Sequence, residues 1–95
     1  MNTRAPLSLI DFCTRYPDES VGEAMERSVA FAQHAESLGY SRIWYSEHHN
    51  MSSIVSSTPA VLIAHIGAKT ERIRLGSGGV MLPNHSPYVI AEQFG

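Results

Sequence analysis

Cysteine is almost missing from this chain. Cys13 stands alone in 95 residues, so no internal disulfide can form, and a small secreted scaffold stapled by bridges is excluded. Positive charge is not in excess either. Seven Lys and Arg face nine Asp and Glu, a formal net charge of -2, which leaves no general basic patch for a nucleic acid. No apolar run approaches the roughly 18–20 residues of a membrane span. Asp11, Arg15, Asp18 and Glu19 break the N-terminal region before a secretory signal core could form. The resulting expectations are no nucleic acid, no membrane and a cytoplasmic location. What is present is globular: 43% hydrophobic and 17% charged, without the low hydrophobicity and high net charge of a disordered chain. At this length the chain makes one small domain at most.

Strand and helix signals alternate. Leu7 to Phe12 is a short apolar run that reads as a buried strand. Ser20 followed by Glu23 has capping-box spacing and predicts a helix start. Val21, Met25, Ser28, Ala32, Ala35 and Leu38 then recur at helical steps as one apolar or small-residue stripe, with Glu23 and Arg27 paired on the wet side. Gly39 is placed to end that helix. Arg42 to Ser46 predicts a second strand. Thr58-Pro59 predicts a second helix running to about Thr70, apolar around most of its circumference and therefore well buried. Ile73 to Ser77 predicts a third strand, residues 78 to 85 a loop, and Ser86-Pro87 a third helix start. This βαβαβα order implies parallel strands joined by right-handed crossovers, in an open doubly wound sheet or a (β/α) barrel.

Both architectures place sites at the carboxyl ends of the strands, and the unusual residues collect there. Asp11, Phe12 and Cys13 follow the first strand. Glu47, His48, His49 and Asn50 follow the second, and Ser77, Gly78, Gly79 and Pro83-Asn84-His85 the third. Glu47-His48-His49 admits three readings. A His beside a carboxylate can move protons near neutral pH. Two His and a Glu are ligand types for zinc or iron, although adjacent His in an extended segment point to opposite faces. One His could also satisfy backbone while the other meets solvent. Gly76-Ser77-Gly78-Gly79 lacks the endings of a phosphate loop or dinucleotide fingerprint. It reads as a glycine turn, or as bare backbone against which a flat ring can lie, tolerant of a bulge or a cis peptide. His85 alone reads as a loop hydrogen-bonder, His34 as an exposed residue, His65 as a core or interface histidine, and Cys13 as a small hydrophobe. Of Trp44 and Tyr45, one packs between sheet and helices and the other faces the interior of the barrel or sheet.

Taken together, Leu7 to Asp11, Leu38 to Trp44, Glu47-His48-His49-Asn50, Arg72 to Pro87 and Ala91-Glu92-Gln93 resemble the N-terminal part of the bacterial luciferase-like flavin monooxygenases over essentially the whole chain. The resemblance implies a TIM barrel that binds flavin mononucleotide at its carboxyl rim, or in sister groups a deazaflavin. It implies that His48, with Glu47, belongs to the catalytic set through proton transfer. It implies that Gly78 and Gly79 flank a non-proline cis peptide against the flavin ring. Ser77 and Asp11, at the same strand-end rim, are expected on the cofactor side with them, and no metal is expected. The reaction it implies is oxygenation of a small aldehyde- or ketone-like substrate by oxygen and reduced flavin, the latter supplied by a separate reductase.

A closed barrel takes eight strand–helix units and about 250 residues. The expectation for residues 1–95 is therefore an N-terminal fragment of one such domain, about three of its eight units, inactive alone and able to cover its sheet edges with further copies of itself. Two other readings stay open: a non-catalytic flavin-fold relative or structural partner subunit, and a small open flavodoxin-type binding domain.

Overall fold

The computed structural model describes residues 4–95. The first three residues of the segment expected to carry no signal core (Met1, Asn2 and Thr3) lie outside the described residues. Three four-residue strands, β1 (Ser8–Asp11), β2 (Arg42–Tyr45) and β3 (Arg74–Ser77), form a parallel sheet in the order β1-β2-β3. Helix α1 (Val21–Ser37) joins the first two strands and α2 (Pro59–Gly67) the second two. A single 3-10 turn (Leu82–Asn84) and α3 (Pro87–Phe94) follow β3. The βαβαβα order is the one expected.

Register follows from alternation. Leu9, Ile43 and Leu75 share one row, Ile10, Trp44 and Gly76 the next, and Asp11, Tyr45 and Ser77 the last. Side chains in adjacent rows point to opposite faces. Ile43 and Tyr45 are fully buried and join Ala24, Ala32 and Ala35 of α1 and Leu62 and Ile66 of α2 in the core, with Leu9 and Leu75 packed against them. The helices therefore cover the face of Leu9, Ile43 and Tyr45, and Trp44 takes the other face with Ile10, which is 48% exposed. The expected division between the two aromatics holds, with Tyr45 on the helix side.

α1 starts where the capping box predicts. Ser20 Oγ accepts the Glu23 N–H at 3.1 Å and donates to Glu23 Oε1 at 3.2 Å. Gly39 closes the helix at φ +87, a left-handed conformation suited to glycine. Two details differ from the sequence expectation. The buried stripe is Ala24, Ser28, Ala32 and Ala35, while Val21 and Leu38 are more than half exposed. Small residues let α1 lie close to the sheet, so larger ones fall beside the contact. Arg27 does not pair with Glu23, whose carboxylate serves the cap. It turns to Glu19, at 2.6 Å, and to the Thr14 carbonyl, and lies over the Tyr16 ring at 4.4 Å.

α2 is shorter and less buried than its apolar sequence predicts. It ends at Gly67 and buries only Pro59, Leu62 and Ile66, with Val61 and His65 exposed. A helix lying on one sheet covers one stripe, whatever the polarity of its other sides. Thr58 and Ser86 precede the prolines as expected but make no side-chain caps. Between β3 and α3, the expected loop contains the 3-10 turn.

Candidate active site

The chain leaves β2 through Ser46, which is buried with its carbonyl accepting from Ser56 Oγ. His48 N–H donates to the Ser56 carbonyl at 2.9 Å. These two bonds fold the Glu47–Ser57 segment back on itself and fix the direction of the side chains between them. His48 Nδ1 lies 2.9 Å from Ser46 Oγ, and its ring meets Phe12 edge-on with centroids 5.6 Å apart. Among the described residues, His48 Nε2 makes no hydrogen bond. The ring is thus oriented through one nitrogen and half-exposed at the other, an arrangement suited to passing a proton.

Glu47 lies in a different setting. Its side chain is only 1% exposed. Oε2 stands 2.6 Å from His49 Nε2, and Oε1 accepts the Met81 N–H at 3.1 Å. His85 Nε2 lies 3.0 and 2.9 Å from the two oxygens. Burial alone raises the pKa of this carboxyl. The hydrogen bond from His49, the Met81 N–H and His85 together outweigh burial and hold it at about 2. The carboxylate is ionised across the physiological range. Among the described residues, no group of three or more His, Cys, Asp or Glu is arranged to hold a metal ion.

β3 ends in the glycine turn. Gly78 N–H donates to the Tyr45 carbonyl at 2.6 Å, and Ser77 Oγ donates to the Gly79 carbonyl at 2.6 Å. The Gly78–Gly79 peptide is cis, as the resemblance implies. The three glycines here differ in what surrounds them. A Cβ on Gly76 would stand 2.6 Å from the Trp44 ring, and one on Gly78 would stand 3.1 Å from the Trp44 Cβ. One on Gly79 would meet nothing within 4 Å. Trp44 therefore supports this backbone, and Gly79 leaves it bare toward open space. Arg42 lies over the indole at 4.8 Å.

Asp11 is directed elsewhere. It shares the row of Tyr45 and Ser77, and its Oδ1 accepts the N–H of Cys13, which has φ 51. Asp11 Oδ2 and the Tyr45 hydroxyl are buried without a hydrogen-bond partner among the described residues. Burial, with the Asp11 charge nearby, raises the Tyr45 pKa. Cys13 is fully buried with its pKa raised by burial, a small packed thiol as expected.

The structure thus joins Glu47 to His49 and His85, and binds the glycine turn to β2. His85 hydrogen-bonds, as its loop position suggests, but its partner is Glu47 from the preceding unit. Sequence reasoning missed the Met81 N–H, Ser46, Ser56 and the support from Trp44. Only the small residue at Gly76, beside the bulky Trp44 in a parallel register, carried a signal for the last of these.

The sequence model described as luciferase-like monooxygenase matches residues 8–95. A luciferase-like monooxygenase of Escherichia coli K12 is 52% identical over 88 residues, covering 93% of this chain and 26% of that protein. The solved structure of apo-MsnO8 superposes with a TM-score of 0.90 at 36% identity, over 96% of this chain and 28% of that one. The oxygenating constituent of 3,6-diketocamphane monooxygenase from Pseudomonas putida, a type II Baeyer–Villiger enzyme in complex with FMN, superposes with a TM-score of 0.77 at 26% identity, over 93% of this chain and 24% of that one. The chain spans about a quarter of the length of these relatives. Its parallel sheet, its helices and its match from Ser8 onward place it in the luciferase-like monooxygenase family.

Proposed function

We propose that this chain contributes the flavin- and proton-handling rim of a flavin-dependent monooxygenase, which uses reduced flavin mononucleotide and oxygen on a small aldehyde- or ketone-like substrate. The observation that carries this reading is the bare Gly78–Gly79 backbone, open where a Gly79 side chain would stand and bonded to the β2 rim that bears His48. A flat ring needs such a surface, because any side chain would hold it away. Ser77, Gly78 and Gly79 would hold the ring. Trp44 supports this backbone at Gly76 and Gly78, and Asp11 shapes the neighbouring β1–α1 turn through the Cys13 N–H.

Reduced flavin, when bound, supplies the electrons that activate oxygen. His48 takes or returns a proton at Nε2, its ring held by Ser46 and Phe12. Phe12, edge-on to the imidazole, keeps apolar surface beside it and limits water there. The FMN complex of a relative favours FMN over a deazaflavin. A separate reductase and further copies of the chain complete the proposed set of partners.

Flavin titration of the full-length protein tests the reading. FMN should bind with a shifted visible absorbance, and Gly79→Val should weaken binding at least about tenfold by filling the open space. Mass spectrometry should then find one oxygen atom added to an aldehyde or ketone in the presence of reduced flavin. Failure of the unaltered protein to bind FMN sinks the proposal. Binding without product on any substrate favours a non-catalytic relative.

A further inference from the structure

We propose that Glu47 is a positioning residue rather than a proton carrier: its carboxylate clamps the segment after Gly79 and so sets where the glycine backbone stands at the rim. The proposal rests on reading that backbone as a flavin-facing surface.

The segment Gly78–Met81 is held at both ends from the carboxyl end of β2. The Tyr45 carbonyl accepts the Gly78 N–H at 2.6 Å. Three residues further along the same segment, Glu47 Oε1 accepts the Met81 N–H at 3.1 Å. His85, four residues past Met81, closes on both carboxylate oxygens at 3.0 and 2.9 Å. Glu47 thereby links the β2–α2 connection to the β3–α3 connection, with Gly79 inside the clamped stretch.

The same geometry removes Glu47 from proton traffic. Both oxygens are engaged, by His49, His85 and a backbone N–H, and the side chain is 1% exposed. Alternation along the extended segment separates the two tasks. Glu47 and His49 meet each other at 2.6 Å, whereas His48 between them turns to Ser46. One side of the Glu47–His49 segment holds the rim together, and the other presents an imidazole.

The test compares Glu47→Ala, Glu47→Gln and His85→Ala in the full-length protein by amide hydrogen exchange without flavin and by FMN titration. In Glu47→Ala, amides of residues 80–85 should exchange faster while those of α1 keep their protection. FMN should bind at least about tenfold more weakly, the loss expected when a charged hydrogen-bond acceptor is removed. Glu47→Gln keeps an acceptor for the Met81 N–H and should recover part of both effects. Adding His85→Ala to Glu47→Ala should change FMN affinity by less than about threefold, since both act on one clamp. Unchanged exchange at 80–85, equal acceleration throughout the protein, or additive losses would each overturn the proposal. If Glu47→Ala does not fold, Glu47→Gln and His85→Ala carry the same comparison. Exchange needs no flavin, so it judges the clamp even if the unaltered protein binds no FMN and the flavin reading fails.

Discussion

Gly76→Ala tests whether Trp44 supports the rim. The new methyl would stand 2.6 Å from Cζ3 and 2.8 Å from Cε3 of the indole, where ordinary contact begins at 3.4 Å. It intrudes by 0.8 and 0.6 Å on two atoms of one rigid ring. The ring cannot yield locally and must move as a plate. Overpacking of this kind costs about 1–3 kcal/mol. Restricting the unfolded chain by replacing glycine returns about 0.5–1 kcal/mol. A net loss of about 1–2 kcal/mol follows. The Trp44 Cβ stands 3.1 Å from where a Gly78 Cβ would be, so displacing Trp44 should also disturb the glycine turn and weaken the proposed FMN binding. Urea denaturation of the full-length protein, followed by circular dichroism, measures the first effect and flavin titration the second. In a Trp44→Leu background the same substitution should cost at least about 1 kcal/mol less, because the obstructing ring is gone. Stability within about 0.5 kcal/mol of the parent, or strict additivity with Trp44→Leu, would refute the packing argument.

Three further outcomes are expected. His48→Ala in the full-length protein should lower substrate turnover by about 10²-fold or more while changing stability by under about 1 kcal/mol, since the half-exposed ring makes one side-chain hydrogen bond; unaltered turnover would end the proposed proton role. Glu47, held at about 2 in the fold against 4.5 in the open, contributes stability that is fully present above pH 4.5 and is lost as pH falls toward 2. At about 1.4 kcal/mol per unit this amounts to about 3.5 kcal/mol at most. Glu19 and Glu36 are lowered in the same direction, so the Glu47 share is read as the difference between parent and Glu47→Gln in urea titrations at pH 7, 4 and 3; parallel curves would contradict it. Tyr45→Phe removes a buried hydroxyl that has no partner among the described residues and should leave stability unchanged or raise it by up to about 1 kcal/mol. A loss greater than that in thermal melts would mean that the hydroxyl is satisfied.

The legible and illegible parts of this chain divide along a physical line. Element order, the Ser20 cap, the Gly39 terminus and the proline-led helix starts depend on residues within four positions of each other, where sequence spacing is spatial spacing. Burial depends on which neighbour arrives. Five apolar or small residues of α1, with Leu38 at its C-cap, fit a helical stripe, but the choice of Ala24 over Val21 follows from the close approach to the sheet. The apolar circumference of α2 likewise gave no measure of how much of it would be covered. At the rim, Glu47, His48 and His49 were singled out by type, yet type alone left acid–base, metal and bland roles open. What separates them is partner and direction. Glu47 draws in Met81 and His85, 34 and 38 positions away, and no local pattern encodes that distance. It follows from the parallel register that sets Tyr45 beside Ser77. Once those rows are aligned, the two connections leave the sheet side by side. A buried carboxylate on one then meets the N–H and imidazole of the other. The sequence supplied the participants; the crossover topology decided that Glu47 faces a neighbouring loop and His48 does not.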